Sequence, residues 1–411
     1  MPSPALARNA ALLLAANAVS LLAPLITVPY VARVLGPAAW APVLVAQAAI
    51  AWLVMVVDFG FDLSAVRAIA AEPAADKRAQ IVHQVQSAKL LLAPIASLAL
   101  AVIFVSLPSL RGAWPLFAAS LALVWMRGFE PLWYFLGRER VPSAVTVQII
   151  GKLGATAATF LLVRAPEDAW LVIGLQAAGT GLATAILTGW MRHDAPRRLP
   201  RWRDARAALG AGAALAGFRA TTGLVATGNV LIGGALLATP ALAAYAAADR
   251  LVRAAIGTLH PLTQVVLPRV AAERAALAAG TAHAAPDRLV ARSMRVTGTL
   301  GLLIGIVTFV GAPQIVAILL GPGYEAAIPL LRALAFLPPL VAVNTVLGVQ
   351  WAIPFGRDRA FLGAVLVSGT VNLVLAVLVA PHYGAMGIIA TLIGAEALQT
   401  LLLLRIKWSA R

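Results

Sequence analysis

The chain has 411 residues, 61% of them hydrophobic and only 12% charged, with a mean hydropathy of +0.89 and a net charge of +16. Soluble domains carry about a quarter of their residues as charge, so the composition excludes an ordinary soluble enzyme and points to a protein that crosses a membrane many times. The absence of cysteine excludes disulfides, thiolate metal sites and cysteine nucleophiles, and no metal site is expected.

Apolar runs read against their breakers predict about twelve spanning helices. They fall near 10–35, 41–65, 83–107, 114–136, 142–163, 168–190, 208–237, 241–268, 293–320, 326–353, 359–380 and 384–405. The first run follows a single Arg8 and continues through Pro24 and Pro29 to Val34. That is too long for a signal-peptide core, so it reads as a retained span. Pro94, Pro338 and Pro339, with Pro24 and Pro29, predict bent helices. His260, just before Pro261, marks a kink in the eighth span.

The basic residues gather in alternate loops: Arg67, Lys77 and Arg78; Arg138 and Arg140; Arg192 to Arg206; Arg269 to Arg292; Arg357 and Arg359; Arg405, Lys407 and Arg411. In a soluble chain such an excess would suggest nucleic acid. Here it follows membrane topology, places both termini in the cytoplasm and leaves no nucleic-acid partner to expect. The opposite loops are very short, as at Gly36-Pro37, Ala165-Pro166 and Gly321 to Gly323.

The second span ends in DFGFDLSAVRAIA, residues 58–70, where Asp58 and Asp62 stand four apart and are expected on one helix face. A related stretch, TQVVLPRVAAE, occupies 263–273, and WYFLGRER at 133–140 is echoed by WAIPFGRDR at 351–359. These echoes predict a duplicated, all-α membrane protein. Two pseudo-two-fold-related six-helix bundles, residues 1–190 and 208–411, would enclose a central cavity, with a basic cytoplasmic linker at 191–207.

Ionisable side chains inside spans are costly and face a cavity or one another. Arg127, Lys152, Arg219, Arg250 and Arg253 are the candidate substrate-binding cations. Asp249 begins eight residues past Ala241, roughly 12 Å into the eighth span. The bland alternatives are that Arg127 with Glu130, and Asp249 with Arg253, neutralise one another along a helix, and that Lys152 or Arg219 snorkels to an interface. Arg250 has no acid three or four residues away and is the leading candidate. Asp58, Asp62, Glu130, Asp249 and Glu396 are the candidates for coupling to H+ or Na+, although helix capping and pairing with loop arginines are the expected roles of the first two and a neighbouring helix is the expected partner of Glu396. A net basic cavity suits an anionic ligand, because guanidinium forks match phosphate oxygens in pairs.

DFGFDLSAVRAIA, the W-F/Y-F-x-G-x-E pattern of Trp133 to Glu139, and AAYAAADRLVRA at 243–254 followed by Pro268-Arg269 together resemble the polysaccharide transporter family, the O-antigen and repeat-unit flippases. The likeness spans essentially the whole chain. The family belongs to the multidrug/oligosaccharidyl-lipid/polysaccharide exporter superfamily, so the resemblance implies a MATE-like fold in the bacterial inner membrane. It also implies movement of an undecaprenyl-diphosphate-linked glycan from the cytoplasmic to the periplasmic leaflet. Polymerase or chain-length proteins are the implied partners, and by position Arg219 and Arg250 match cavity cations of the family. The Ala-Asp-Arg-Leu form is closer to the lipid II branch, for which fourteen helices are expected.

Two other transporters, a lipid II flippase and a cation-coupled drug exporter, remain alternatives; the exporter predicts acids rather than arginines facing the cavity. A membrane-embedded glycan polymerase or ligase is the alternative of another class. It would need a long outside loop or an acid/base pair, and the outside loops are too short for the former. No GxxxxGK[ST] loop is present for a nucleotide-driven pump.

Overall fold

In lipid every backbone polar group must be satisfied within its own segment, which leaves apolar runs of this length little choice but helix. The computed structural model describes residues 4–195, 199–279 and 286–409, apart from the side chains of 4–25, 211, 214, 215, 218 and 278. Every element among the described residues is helical. Arg197, Arg198 and Arg411 of the basic loops lie outside the described residues.

The elements follow the predicted spans, with more breaks than the sequence suggested. α1 (Pro4–Asp58) is two helices joined at Gly36, whose φ of 67° and ψ of 172° are non-helical. α2 (Phe61–Ala71) completes the second span, and α3 (Ala75–Ser106) is the third. The fourth span is divided into α4 (Trp114–Gly128) and α5 (Leu132–Gly137). α6 (Val141–Leu162), α7 (Ala169–Asp194) and α8 (Trp202–Leu236) follow. The eighth span breaks at Thr258-Leu259 into α9 (Thr239–Gly257) and α10 (His260–Ala278), where the His-Pro pair is expected to bend it. The ninth comprises α11 (Pro286–Val310) and α12 (Ala312–Leu319). The tenth comprises α13 (Ala327–Leu334), α14 (Leu337–Thr345) and a π-helical turn, Val346–Ala352. α15 (Asp358–Trp408) holds the last two spans, joined at Gly384.

Among the described residues, seven helices are long and apolar enough to cross a membrane by length and composition. Two of the seven contain a glycine break and hold two spans each, and the fourth and eighth spans, each divided into two shorter helices, are not among them. Many large apolar side chains are exposed, as at Ile95, Leu98, Val102 and Val105 down one face of α3. Such a face suits hydrocarbon rather than water.

The chain divides into two compact units, Met1–Ala235 and Leu236–Arg411. This differs from the expected division at 191–207, because α8 is tied to the first unit. Trp52 Nε1 donates to the Ala220 carbonyl at 3.1 Å and Ser109 Oγ to that of Gly234 at 3.2 Å.

Between apolar helices in lipid, packing and polar cross-links supply the cohesion that water would otherwise provide. In the first unit the Tyr30 hydroxyl donates to the Val163 carbonyl at 2.7 Å, joining α1 to the end of α6. Thr184 Oγ1 donates to the Met126 carbonyl at 2.9 Å, joining α7 to α4, and Trp125 Nε1 to Ser97 Oγ at 2.9 Å, joining α4 to α3. In the second unit the fully buried Gln350 of the π turn accepts from Ser293 Oγ of α11 at 2.5 Å and donates to Thr263 Oγ1 of α10 at 3.2 Å.

Candidate functional site

The stretch DFGFD builds a helix break. α1 ends at Asp58, Phe59 and Gly60 take left-handed φ values of 49° and 75°, and α2 starts at Phe61. Gly60 makes the second of these positions inexpensive, and its carbonyl accepts from the Ser64 backbone N–H at 3.0 Å and Ser64 Oγ at 3.1 Å. Asp58 and Asp62 therefore do not share a helix face as their spacing predicts: they sit on two helices either side of a turn. Their partners also differ from the expected loop arginines. Asp58 Oδ1 accepts from Lys89 Nζ of α3 at 3.0 Å, and Asp62 Oδ2 pairs with Arg219 of α8. Loop arginines are out of the competition because the turn swings both carboxylates toward cations of the spans.

Lys89 escapes the sequence reading. It lies in a predicted span, its side chain is only 1% exposed, and its ammonium also donates to the Gly128 carbonyl at 2.8 Å. Gly128 is the last residue of α4, so one buried cation holds the C-terminal ends of α1 and α4 together. The only sequence signal was a lone lysine before the apolar run Leu90-Leu91-Leu92.

Beyond the second break, Glu130 accepts from Gln148 of α6. Arg127, Lys152 and Lys89 are its charged neighbours. The helical Arg127–Glu130 arrangement expected from i, i+3 spacing does not form, because α4 stops at Gly128 between them. Arg127 and Lys152 are exposed, and Arg219 is half-buried. Six helices, with the break after α4 that carries Glu130, thus bring Asp58, Asp62, Glu130, Lys89, Arg127, Lys152 and Arg219 into one neighbourhood.

The two sequence motifs interlock beside it. Trp133, Tyr134 and Phe135 of α5 are buried against Phe61, Ala65 and Ile69 of α2, with Ala205 and Ala208 of α8 in the same cluster. A Cβ on Gly137 would lie 2.8 Å from Ile69 and 3.0 Å from the Val66 carbonyl oxygen, so glycine permits the close approach. The Tyr134 hydroxyl donates to Asp194 Oδ2 at 2.6 Å, and Arg138 and Arg140 reach the same oxygen at 3.4 and 3.3 Å, fixing the end of α7.

In the second unit Arg253 Nε donates to Asp249 Oδ2 at 2.6 Å, one turn apart on α9. The acid is 5% exposed and the cation 41%, so the positive end faces outward from the pair. Glu396 accepts from Asn344 Nδ2 of α14 at 2.7 Å, the neighbouring-helix partner expected for it, and the Thr400 hydroxyl donates to Asn344 Oδ1 at 2.8 Å. Arg253 also feels the charge of Glu396. Arg250 is half-buried on α9, turned about 100° from Asp249 by the helical repeat. No group of three or more metal-ligating side chains occurs among the described residues.

The sequence description "Polysaccharide biosynthesis protein" matches residues 6–272, well over half of the chain. The chain belongs to the polysaccharide biosynthesis protein family. Two relatives bear the name "Putative O-antigen transporter". That of Escherichia coli (strain K12) is 25% identical over 97% of this chain and 96% of its own, and that of Shigella dysenteriae is 26% identical over 97% and 99%. Among solved structures, the lipid II flippase MurJ in an inward closed conformation matches with a TM-score of 0.75 at 11% identity, over 96% of this chain and 86% of that one. An inward-facing multidrug resistance MATE family transporter of the MOP superfamily gives 0.67 at 14%, over 96% and 95%. This member of the polysaccharide biosynthesis protein family therefore has the all-α fold of membrane transporters.

Proposed function

We propose that the chain is a flippase that moves an undecaprenyl-diphosphate-linked oligosaccharide from the cytoplasmic to the periplasmic leaflet of a bacterial inner membrane, for surface-polysaccharide synthesis. The relatives' name and their match over nearly the full length support this reading. The observation that carries it is the sign of the exposed charge within the spans. Asp58, Asp62 and Asp249 are each engaged by a cation, and Glu130 and Glu396 by an amide. Arg127, Lys152 and Arg253 are exposed. A ligand approaching these surfaces meets guanidinium and ammonium groups first, which favours a diphosphate headgroup. A cation-coupled drug exporter would present carboxylates instead.

In this reading Arg127, Lys152, Arg219, Arg250 and Arg253 hold the headgroup while the two units alternate access, coupled to an H+ or Na+ gradient. Both termini are cytoplasmic, and polymerase or chain-length proteins would take the product. Arg250→Ala is expected to abolish surface-glycan display in a strain lacking the chromosomal copy, with protein level near normal by immunoblot. Wild-type display in that strain would remove Arg250 from the substrate path.

A further inference from the structure

The connection between α7 and α8 is the basic segment that the substrate reading leaves without a task. From Leu199 into the first turns of α8 it exposes Arg201, Arg203 and Arg206. Two large apolar side chains are bare among these cations, Leu199 at 86% and Trp202 at 66% exposure, and Trp190 is exposed near the end of α7. Such side chains gain by leaving water, and tryptophan collects at the level of lipid headgroups.

Two features place the segment at that level. Leu182, Ile186 and Trp190 are exposed at four-residue intervals on α7, which makes them one face of the helix, so the apolar row reaches to within a turn of the helix end at Asp194. α8 is 35 residues long, about 52 Å at 1.5 Å per residue, whereas about 20 residues cross the hydrocarbon. Its far end is tied to the α3–α4 connection by the Ser109–Gly234 hydrogen bond, so the surplus length falls at the Trp202 end. There Ala205 and Ala208 are packed in one core with Ala195, Trp133 and Phe135, and Trp202, Arg203 and Arg206 are left facing outward.

We propose that this surface is a seat for anionic phospholipid, in which Arg201, Arg203 and Arg206 hold headgroup phosphates while Leu199, Trp190 and Trp202 enter the layer beneath. Guanidinium forks match phosphate oxygens in pairs, and a zwitterionic headgroup, which brings its own cation, gains less. The interleaved apolar side chains select a lipid over a soluble anion, which would engage the arginines and leave Leu199 and Trp202 bare. From residue 199 to 210 the three arginines face one acid, Asp204, a surplus of two positive charges. The seat sets the depth of α8, the helix that carries Arg219 to Asp62. It requires no particular glycan.

Native mass spectrometry of the full-length protein with equal amounts of phosphatidylglycerol and phosphatidylcholine tests the charge. At roughly fivefold per cation near an anionic surface, the surplus predicts a preference for phosphatidylglycerol of roughly 25-fold. Arg201→Gln/Arg203→Gln/Arg206→Gln should lose that preference with its unfolding midpoint in detergent unchanged, since all three side chains are exposed. Equal binding of the two lipids by wild type, or an undiminished preference in the triple variant, overturns the proposal. The cysteine-free sequence allows a second reading: a fluorophore on Leu199→Cys in nanodiscs should be shielded from acrylamide when phosphatidylglycerol is present and open to it in phosphatidylcholine alone. Equal quenching in the two bilayers overturns the proposal, and shielding in both with a dimer mass would assign the surface to a second copy instead. Glycerol 1-phosphate at matched ionic strength should leave the shielding intact; its loss would mean a site for soluble anions and overturn the lipid assignment. Should the triple variant not fold, the labelled protein decides. Loss of glycan display in Arg250→Ala with the lipid preference intact would separate the substrate reading from this one.

Discussion

At position 137 only a hydrogen fits. The Cβ of an alanine there would meet Ile69 at 2.8 Å and the Val66 carbonyl at 3.0 Å, and the backbone oxygen cannot step aside as a side-chain tip can. Overpacking of this kind costs about 1–3 kcal/mol, so Gly137→Ala should lower the thermal unfolding midpoint of the purified protein. Ile69→Ala in the same background should recover part of the loss, and an unchanged midpoint in Gly137→Ala would mean that α2 and α5 are less closely held. The two motifs were legible in the sequence as a pair of signatures. That they are two faces of one contact was not, because residues some seventy positions apart carry no local trace of each other. The same limit hid Lys89: its partners Asp58 and Gly128 lie on other helices, so helical spacing could not connect them. The Asp249–Arg253 pair, four apart on one unbroken helix, was readable.

Among the elements, the reversals at Gly36 and Gly384 carry the most conformational demand. Their φ/ψ values of 67°/172° and 59°/−143° lie where side-chain-bearing residues are rarely found. A Cβ at either site would meet nothing within 4 Å, so any penalty for alanine is backbone strain and not crowding. Gly36→Ala and Gly384→Ala should each cost about 1–3 kcal/mol, measured as a lower unfolding midpoint in detergent, and the two losses should add because the sites belong to different units. Equal stability of Gly36→Ala and wild type would show that the reversal is made by Pro37 alone. Span positions were recovered from hydropathy because lipid imposes length and apolarity on every crossing. The breaks inside spans were only partly legible: His260-Pro261 announced one, while the end of α4 and the π turn at Val346–Ala352 are settled by tertiary hydrogen bonds. A π turn relieves helical strain at the cost of regular bonding and is often kept at functional positions. Here it carries Gln350 into the buried contact with Ser293 and Thr263.

For the whole molecule, the distribution of its basic residues makes a claim about orientation that neither unit can make alone. The net charge of +16 is concentrated in alternate connections, and cationic loops resist translocation. Lys77, Ser143 and Arg359 lie in or beside the basic connections, whereas Arg111, Glu167 and Pro322 belong to the opposite set, and all six are exposed. Since the chain has no cysteine of its own, single-cysteine variants at these six positions can be probed one at a time with a membrane-impermeant maleimide in intact cells. The first three should be protected until the membrane is permeabilised, and the last three should react at once. Protection of the last three and labelling of the first would invert the orientation. A mixed pattern within either set would move a span boundary, and the cations placed near mid-membrane would have to be reassigned with it. The test therefore bears on the substrate reading as well: Arg127, Lys152 and Arg250 can meet a lipid headgroup in transit only if the connections on either side of their spans face opposite compartments.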